Sequence, residues 1–358
     1  MRWFPFQLGI LGLFAAAALL AGYAPAIAET TSRTAAQQTA DLRRGVNFGG
    51  ILEAPNSGER AKSLDRALFV VVREGGFSTI RLPVRFSSHA ATTAPYALDE
   101  AFMRRVDFAV KTALAENLAI ILDFHHYRQM DGDPLDQGEA RADLSDDLLR
   151  ERFTAIWRQI AERYRAMPQD KVLFELYNEP HGKTDGEVWN ELIASTLKAI
   201  RESNPDRFVI VDAGNWATAW GLEGLVIPPQ DRNLIVSVHN YAPFEFTMQG
   251  ASWIENSLPW VGTPCCSPEQ IRKIEEPLDI AAAWGKQNDR PIFLGEFGAN
   301  SIAGYADRVR YTRIMRDAAE KRGFSWAYWD FSSDEFGPWD SLAGKWRTEL
   351  RDALTGGK

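Results

Sequence analysis

Cysteine is almost absent from this chain. The 358 residues contain two, Cys265 and Cys266, side by side in "GTPCCSPEQ". Adjacent cysteines cannot staple distant parts of a fold, and no C-x2-C pairs offer a zinc site. A strained vicinal disulfide is open to them, but two unbridged thiols in a proline-rich loop are the expectation. Positive charge is also in deficit: 40 Lys and Arg face 48 Asp and Glu, for a net charge of −8. That balance argues against nucleic acid and against anionic membrane surfaces as partners. Past residue 40 there is no low-complexity linker and no short-period repeat. A phosphate-cradling G-x-G-x-x-G loop is missing too, since "GVNFGG" (45–50) has glycines at the wrong spacing. Stability must therefore come from a core, and 45% hydrophobic residues suffice to build one.

The first 28 residues stand apart. One early charge (Arg2), an apolar run and the pattern Ala26-Ile27-Ala28 read as a secretory signal cut after Ala28. No Cys follows the run, which speaks against a lipoprotein anchor. Residues 29–40, "ETTSRTAAQQTA", are small and polar and read as a flexible lead-in. The remainder, 41–358, reads as one catalytic domain of an exported, periplasmic or secreted, protein.

Eight short apolar runs follow: "RGVNF" (44–48), "STIRLPV" (78–84), "LAIILDFHHY" (118–127), "VLFELYNEP" (172–180), "RFVIVDA" (207–213), "LIVSVHNY" (234–241), "PIFLGEF" (291–297) and "FSWAYWDF" (324–331). Their continuous apolar character suits parallel strands buried on both faces. Amphipathic stretches separate them. Leu149, Phe153, Ile156, Trp157, Ile160 and Tyr164 share one helical face, with Ser145 as its start. Eight such units predict an α/β fold, a single (β/α)8 barrel, with an open doubly wound sheet as the alternative. Trp157, Trp284 and Trp326 read as core, and His89 and His181 as solvated.

In such a barrel the reacting groups sit at the carboxyl ends of the strands. Read in order, those ends carry Asn47 and Glu53, Arg81, His125 and His126, Asn178 and Glu179, His239 and Tyr241, Glu296, and Trp329. So many polar ends are hard to explain by packing alone. The two glutamates on strands four and seven suit glycoside hydrolysis, which places two carboxyl groups about the scissile bond. Arg81 is expected to hold Glu296 ionised and Tyr241 to hydrogen-bond it. Asn178 suits a sugar 2-hydroxyl, His239 suits tuning of the acid, and Trp329 suits stacking on the ring. A metal at His125, His126 and Asp123 is disfavoured, because strand neighbours point to opposite faces.

"LYNEP" with Glu179, "GEFG" with Glu296, "IRLPVRF" with Arg81 and "DFHHY" with His125 and His126 resemble glycoside hydrolase family 5, the cellulase family. The likeness runs from "RGVNFGGILEAP" to "WAYWDF" and is nearest to the branch of endoglucanases that also accept mannans. It implies a retaining mechanism, with Glu179 as acid/base and Glu296 as nucleophile. Arg81, His125, His126, Asn178, His239, Tyr241 and Trp329 would line the subsite of the attacked sugar. Trp216 and Trp253 match aromatic platforms near the cleft. No cofactor or metal is implied. Two positions depart from the branch: Met248 stands where it has His, and Gly50 where it has Asn. The expected partner is a β-linked poly- or oligosaccharide, acted on by a monomer without a carbohydrate-binding module. Endo-β-1,4-glucanase action on soluble or amorphous glucan leads. The rivals are a β-mannanase or xyloglucanase on the same scaffold, and a non-catalytic glycan-binding barrel.

Overall fold

A computed structural model of the chain describes residues 1–2, 33–54, 64–136 and 141–357. The expected signal segment and its Ala26-Ile27-Ala28 pattern lie, past residue 2, outside the described residues. Eight strands, β1 (Arg44–Asn47), β2 (Thr79–Val84), β3 (Ala119–Phe124), β4 (Val172–Glu175), β5 (Val209–Asp212), β6 (Leu234–His239), β7 (Ile292–Glu296) and β8 (Ser325–Tyr328), fall within the eight apolar runs. Each pairs in parallel with the next. β8 returns to β1 through Gly45↔Ala327, which closes a (β/α)8 barrel and rules out the open sheet. The closure is tight: a Cβ on Gly45 would stand 3.0 Å from the carbonyl of Trp326.

Helices wrap the barrel. In Asp146–Tyr164 the Ser145 side chain accepts from the amide of Leu148, and Leu149, Phe153, Ile156, Trp157, Ile160 and Tyr164 are all buried. Each such side chain contributes about 1.5–3 kcal/mol on leaving water, so Phe153→Ala, which also leaves a cavity, should cost about 3–5 kcal/mol. Trp157 and Trp326 are core, and Trp284 packs partly buried against it. His89 is less solvated than expected, because its ring stacks on Phe102 with centroids 3.6 Å apart. No helix among the described residues is long and apolar enough to cross a membrane.

Two expectations are corrected. Residues 35–40, placed in a flexible lead-in, belong to a helix, Ala35–Leu42, and the compact unit begins at Arg33. Thr34 and Gln37 make a reciprocal capping box, and Ala35 and Leu42 pack under the barrel floor with Ile121, Leu173, Ile210 and Phe293. A capped, half-apolar turn overrides a polar composition. Cys265 and Cys266 are joined to each other rather than free. Their loop is pinned to the helix Tyr305–Lys321, with the amide of Cys265 donating to Asp307 Oδ2 at 3.3 Å and its carbonyl accepting from Arg310.

Strand alternation positions the site. Inward residues recur every second position. Ile121, Leu173, Ile210 and Ile235 build the apolar floor, so Asp123, Glu175, Asp212 and Ser237, two residues on, face the same interior one layer higher. The barrel thus changes along its axis from hydrocarbon to charge, just below the strand ends.

Candidate active site

Arg81 organises the upper layer. It is wholly buried, and each of its nitrogens is occupied. Nη1 donates to Glu296 Oε1 at 2.6 Å and to Asn47 Oδ1 at 2.9 Å. Nε and Nη2 grip the two oxygens of Glu175 at 2.8 and 2.9 Å, and Nη2 also donates to Asn178 Oδ1 at 2.8 Å. Asp123 Oδ2 lies 3.1 Å away. A guanidinium can be buried because carboxylates surround it, and its planar fork matches several at once.

Glu296 ends β7. Its Oε2 accepts from the Tyr241 hydroxyl at 2.7 Å, and its side chain is only 6% exposed. Burial pushes its pKa up, against the opposing pull of His239, Arg81 and the Tyr241 hydrogen bond. Arg81 therefore acts in the expected direction, but burial outweighs it. Burial also raises the Tyr241 phenol, helped by the charge of Glu296, so the donor keeps its proton.

Glu179 follows β4 in left-handed backbone, φ 51°, rare for a residue with a side chain. Its side chain is 23% exposed, open to water where Glu296 is sealed. His239 stands between the two glutamates, with Nδ1 2.8 Å from Glu179 Oε1 and 3.8 Å from Glu296 Oε2. Burial alone would lower its pKa; the charge of Glu296, the Glu179 hydrogen bond and Asp212 outweigh that and raise it to about 9. His239 is thus an imidazolium at neutral pH. Donor atoms of Glu179, His239 and Glu296 all lie within 4.8 Å of one another, as do those of Glu175, Asp212 and His239. Both trios have the ligand types for a metal ion. Their counter-charge, however, is already supplied by Arg81 and His239, and the carboxylates are committed to those cations.

His125 Nδ1 lies 2.7 Å from Asp123 Oδ2. Burial lowers the pKa of the histidine well below its ordinary value and raises that of the aspartic acid, against the opposing pull of Arg81. His125 also lies parallel to Trp329, with centroids 5.4 Å apart. His126 packs edge-on against His125 and is held neutral, its pKa lowered to about 3 by burial and by Arg85 and Arg128. Arg81, His125, His126, Asn178, Glu179, His239, Tyr241, Glu296 and Trp329 are therefore brought together at one end of the barrel.

The cellulase (glycosyl hydrolase family 5) profile matches residues 48–335. The chain belongs to glycosyl hydrolase family 5, the cellulases. Among relatives of this cellulase family, endoglucanase H of Acetivibrio thermocellus is 33% identical over 286 residues, covering 80% of this chain and 29% of that protein. The chain spans about a third of the length of such curated relatives, 35% for the cellulase/esterase CelE of the same organism. Thermotoga maritima Cel5A in complex with cellobiose superposes with a TM-score of 0.83 and 38% identity, over 89% of this chain and 99% of that one. Its mannotriose complex does so equally. The cellulose synthase subunit Z of Clostridioides difficile matches with a TM-score of 0.80 and 32% identity, over 87% of this chain and 99% of that one.

Around this cellulase-family centre lie the aromatic residues singled out in the sequence. Trp216, 49% exposed, stacks on His181 at 3.4 Å, and its amide donates to Pro180 O at 3.1 Å. His181 is consequently not solvated. It is nine-tenths buried, between Trp216 on its face, Glu179 O at Nδ1 and Asp133 at Nε2. Trp253 is exposed and tilted against Phe336. Glu53 turns back on its own loop: its oxygens accept from the amides of Gly50 and Ile51, and burial raises its pKa to about 7. Gly50 has φ 75°, a conformation that favours Gly and, after it, Asn. Met248 is buried with Ala251 and Phe336 beside Tyr241 and Trp329, an apolar flank to the site.

From the sequence, Asn47 reads only as a strand end and Asp123 only as a disfavoured metal ligand, and Glu175 and Asp212 are missed. The signal of the acids is there: β4 and β5 each end an apolar run on an acid, in "VLFE" and "VIVD", and β3 carries one at its last position but one, in "ILDF".

Proposed function

We propose that the protein is a retaining β-glycosidase of the endo-β-1,4-glucanase type, with Glu296 as nucleophile and Glu179 as acid/base. One observation carries this reading: carboxyl oxygens of Glu179 and Glu296 lie within 4.8 Å. Retention needs carboxyl groups about 5–5.5 Å apart, whereas inversion leaves about 6.5–9.5 Å for a water. The surroundings support the division of labour. Glu296, sealed and aimed by Arg81 and Tyr241, suits attack on the anomeric carbon. Glu179, solvent-open and on His239, suits exchange of protons with the leaving oxygen and then with water.

In the first step Glu296 Oε2 forms the bond to the anomeric carbon as Glu179 gives its proton to the departing oxygen. The charge leaving Glu296 is that which Arg81 and Tyr241 had been compensating. In the second, Glu179 takes a proton from water, which attacks the same carbon and frees Glu296. His125 and His126, both neutral, and Asn178 offer hydrogen bonds to sugar hydroxyls, and Trp329 an apolar face.

The glucan assignment rests on the relatives' names and on cellobiose in a neighbour's structure. The neighbour's mannotriose complex keeps mannan as a second reading. Met248 weighs against it here, because it presents no hydrogen bond to a sugar hydroxyl. Export to the periplasm or medium completes the proposal and rests on the first 28 residues. The test is viscosity and reducing-end release on carboxymethyl cellulose, with Glu296→Gln as control. A rapid viscosity fall with few new ends, absent in the variant, supports it. Wild-type inactivity there, with turnover of mannan or xyloglucan, transfers the assignment to those polymers.

A further inference from the structure

We propose that Asp212 is a positioning residue that holds the Glu179 carboxyl in place from two directions, through the backbone and through His239. The proposal deepens the preceding reading and rests on it. Asp212 is the last residue of β5 and is fully buried. Its Oδ2 accepts the amide N–H of Glu179 at 3.1 Å and lies 3.7 Å from His239 Nε2. His239 in turn reaches Glu179 Oε1 through Nδ1 at 2.8 Å. One side chain thus touches the acid/base residue at its main chain and, through one imidazole, at its carboxyl.

The backbone contact matters because of where Glu179 sits. Its φ of 51° is unfavourable for glutamate, and Pro180 disfavours helical geometry before it. A strained conformation persists only where surrounding bonds over-determine it. The neighbouring bonds in this loop are Asn178 N to Phe124 O, Trp216 N to Pro180 O and, at the Glu179 carbonyl, His181 Nδ1 at 2.6 Å. They hold the residues on either side and the carbonyl of Glu179, and Asp212 Oδ2 holds its amide. Without that amide bond the peptide preceding Glu179 can rotate and swing the carboxyl from its partner.

The side chain has little other work. Its Oδ1 has no hydrogen-bond partner among the described residues. The Trp189 indole bond goes to the main-chain carbonyl of Asp212 at 2.9 Å, which a side-chain substitution leaves in place. The inward neighbour of Asp212 on β6 is the uncharged Ser237, and the charged groups acting on it are Glu175 of β4, His239 of β6, Arg81 of β2 and Asp123 of β3. Burial and the charge of Glu175 raise its pKa to about 8. Asparagine, neutral and of the same shape, is therefore the conservative replacement.

The experiment compares wild type, Glu179→Ala, Asp212→Ala, Asp212→Val and Asp212→Asn on two substrates. Cellotetraose has a sugar leaving group that needs a proton; 2,4-dinitrophenyl β-cellobioside has one that does not. The readout is kcat/KM, which reports the first bond-breaking step. Asp212→Ala should lose about 10- to 100-fold on cellotetraose, the effect of one buried hydrogen bond, but under about 3-fold on the dinitrophenyl substrate. Asp212→Asn should stay within about 5-fold on both, since an amide oxygen still accepts. Asp212→Val, of similar volume and without polar atoms, repeats the test if the alanine variant does not fold. Equal losses on both substrates, or no loss on cellotetraose, overturn the proposal. Absence of leaving-group dependence in Glu179→Ala would instead overturn the assignment of the acid/base beneath it.

Discussion

Replacing Arg81 with methionine would remove the one guanidinium that three buried carboxylates share. Asp123, Glu175 and Glu296 lie 3.1, 2.8 and 2.6 Å from it, and neither it nor the first two are exposed. Methionine fills much of the volume but compensates no charge. Breaking a buried ion pair by deleting one partner costs about 3–5 kcal/mol. At about 2–4 °C per kcal/mol for a large domain, the melting temperature should fall by about 6–20 °C at pH 7.5. The size should depend on pH. Burial already pushes Asp123 and Glu296 above their ordinary values, and loss of the cation pushes them further. The folded variant then holds protons that the unfolded chain releases near pH 4, so its stability falls as pH rises above that point. Calorimetric melts from pH 5 to 8 should show the wild-type–variant gap widening with pH. Arg81→Lys, a point charge that can meet one carboxylate well, should fall between the two. A methionine variant melting within about 2 °C of wild type at pH 7.5, or a gap that narrows with rising pH, would refute the account of the charged layer.

Wild-type stability should itself decline between pH 6 and 9, because His239 (raised to about 9), Asp212 (about 8) and Glu53 (about 7) keep protons in the folded state that the unfolded chain gives up earlier. Each fully differing group contributes about 1.4 kcal/mol per pH unit, so a flat or rising melting temperature there would contradict the burial-driven shifts. Tyr241→Phe removes the 2.7 Å bond to Glu296 and should lower kcat by about 10- to 100-fold while the melting temperature changes little; unaltered turnover would detach Tyr241 from the proposed nucleophile. Trp216→Ala should raise KM for long oligosaccharides by about 5- to 30-fold, with a smaller effect on kcat, and unchanged KM would make Trp216 a cover for His181 and no more.

The strands were legible because parallel barrel strands are apolar on both faces, and the glutamates because each ends such a run. The residues that hold them were harder to see. Asp123, Glu175 and Asp212 sit inside apolar segments, and sequence alone does not tell which of two alternating faces looks inward. Their partner Arg81 was visible, but not that it binds three acids at once. His181 looked solvated because its neighbours Pro180 and Gly182 mark a loop. What buries it, Trp216, comes from the next loop of the barrel. The helix at 35–42 was hidden by polar composition, since its worth lies in Ala35 and Leu42 meeting the barrel floor.

The alternation of hydrocarbon and charge inside the barrel bears on how the chain finds its register. A slip of β2 by one residue against β1 and β3 would swing Arg81 outward among the aliphatic side chains under the helices, and bring Ile80 or Leu82 into the ring of acids. Along a purely aliphatic strand the same slip exchanges one apolar residue for another at small cost. Here it strands a guanidinium and its three carboxylates in separate apolar surroundings. The cluster that aims Glu296 therefore also discriminates against misaligned closures of the barrel, so the alignment of eight strands and the geometry of the reacting groups are secured by the same few side chains.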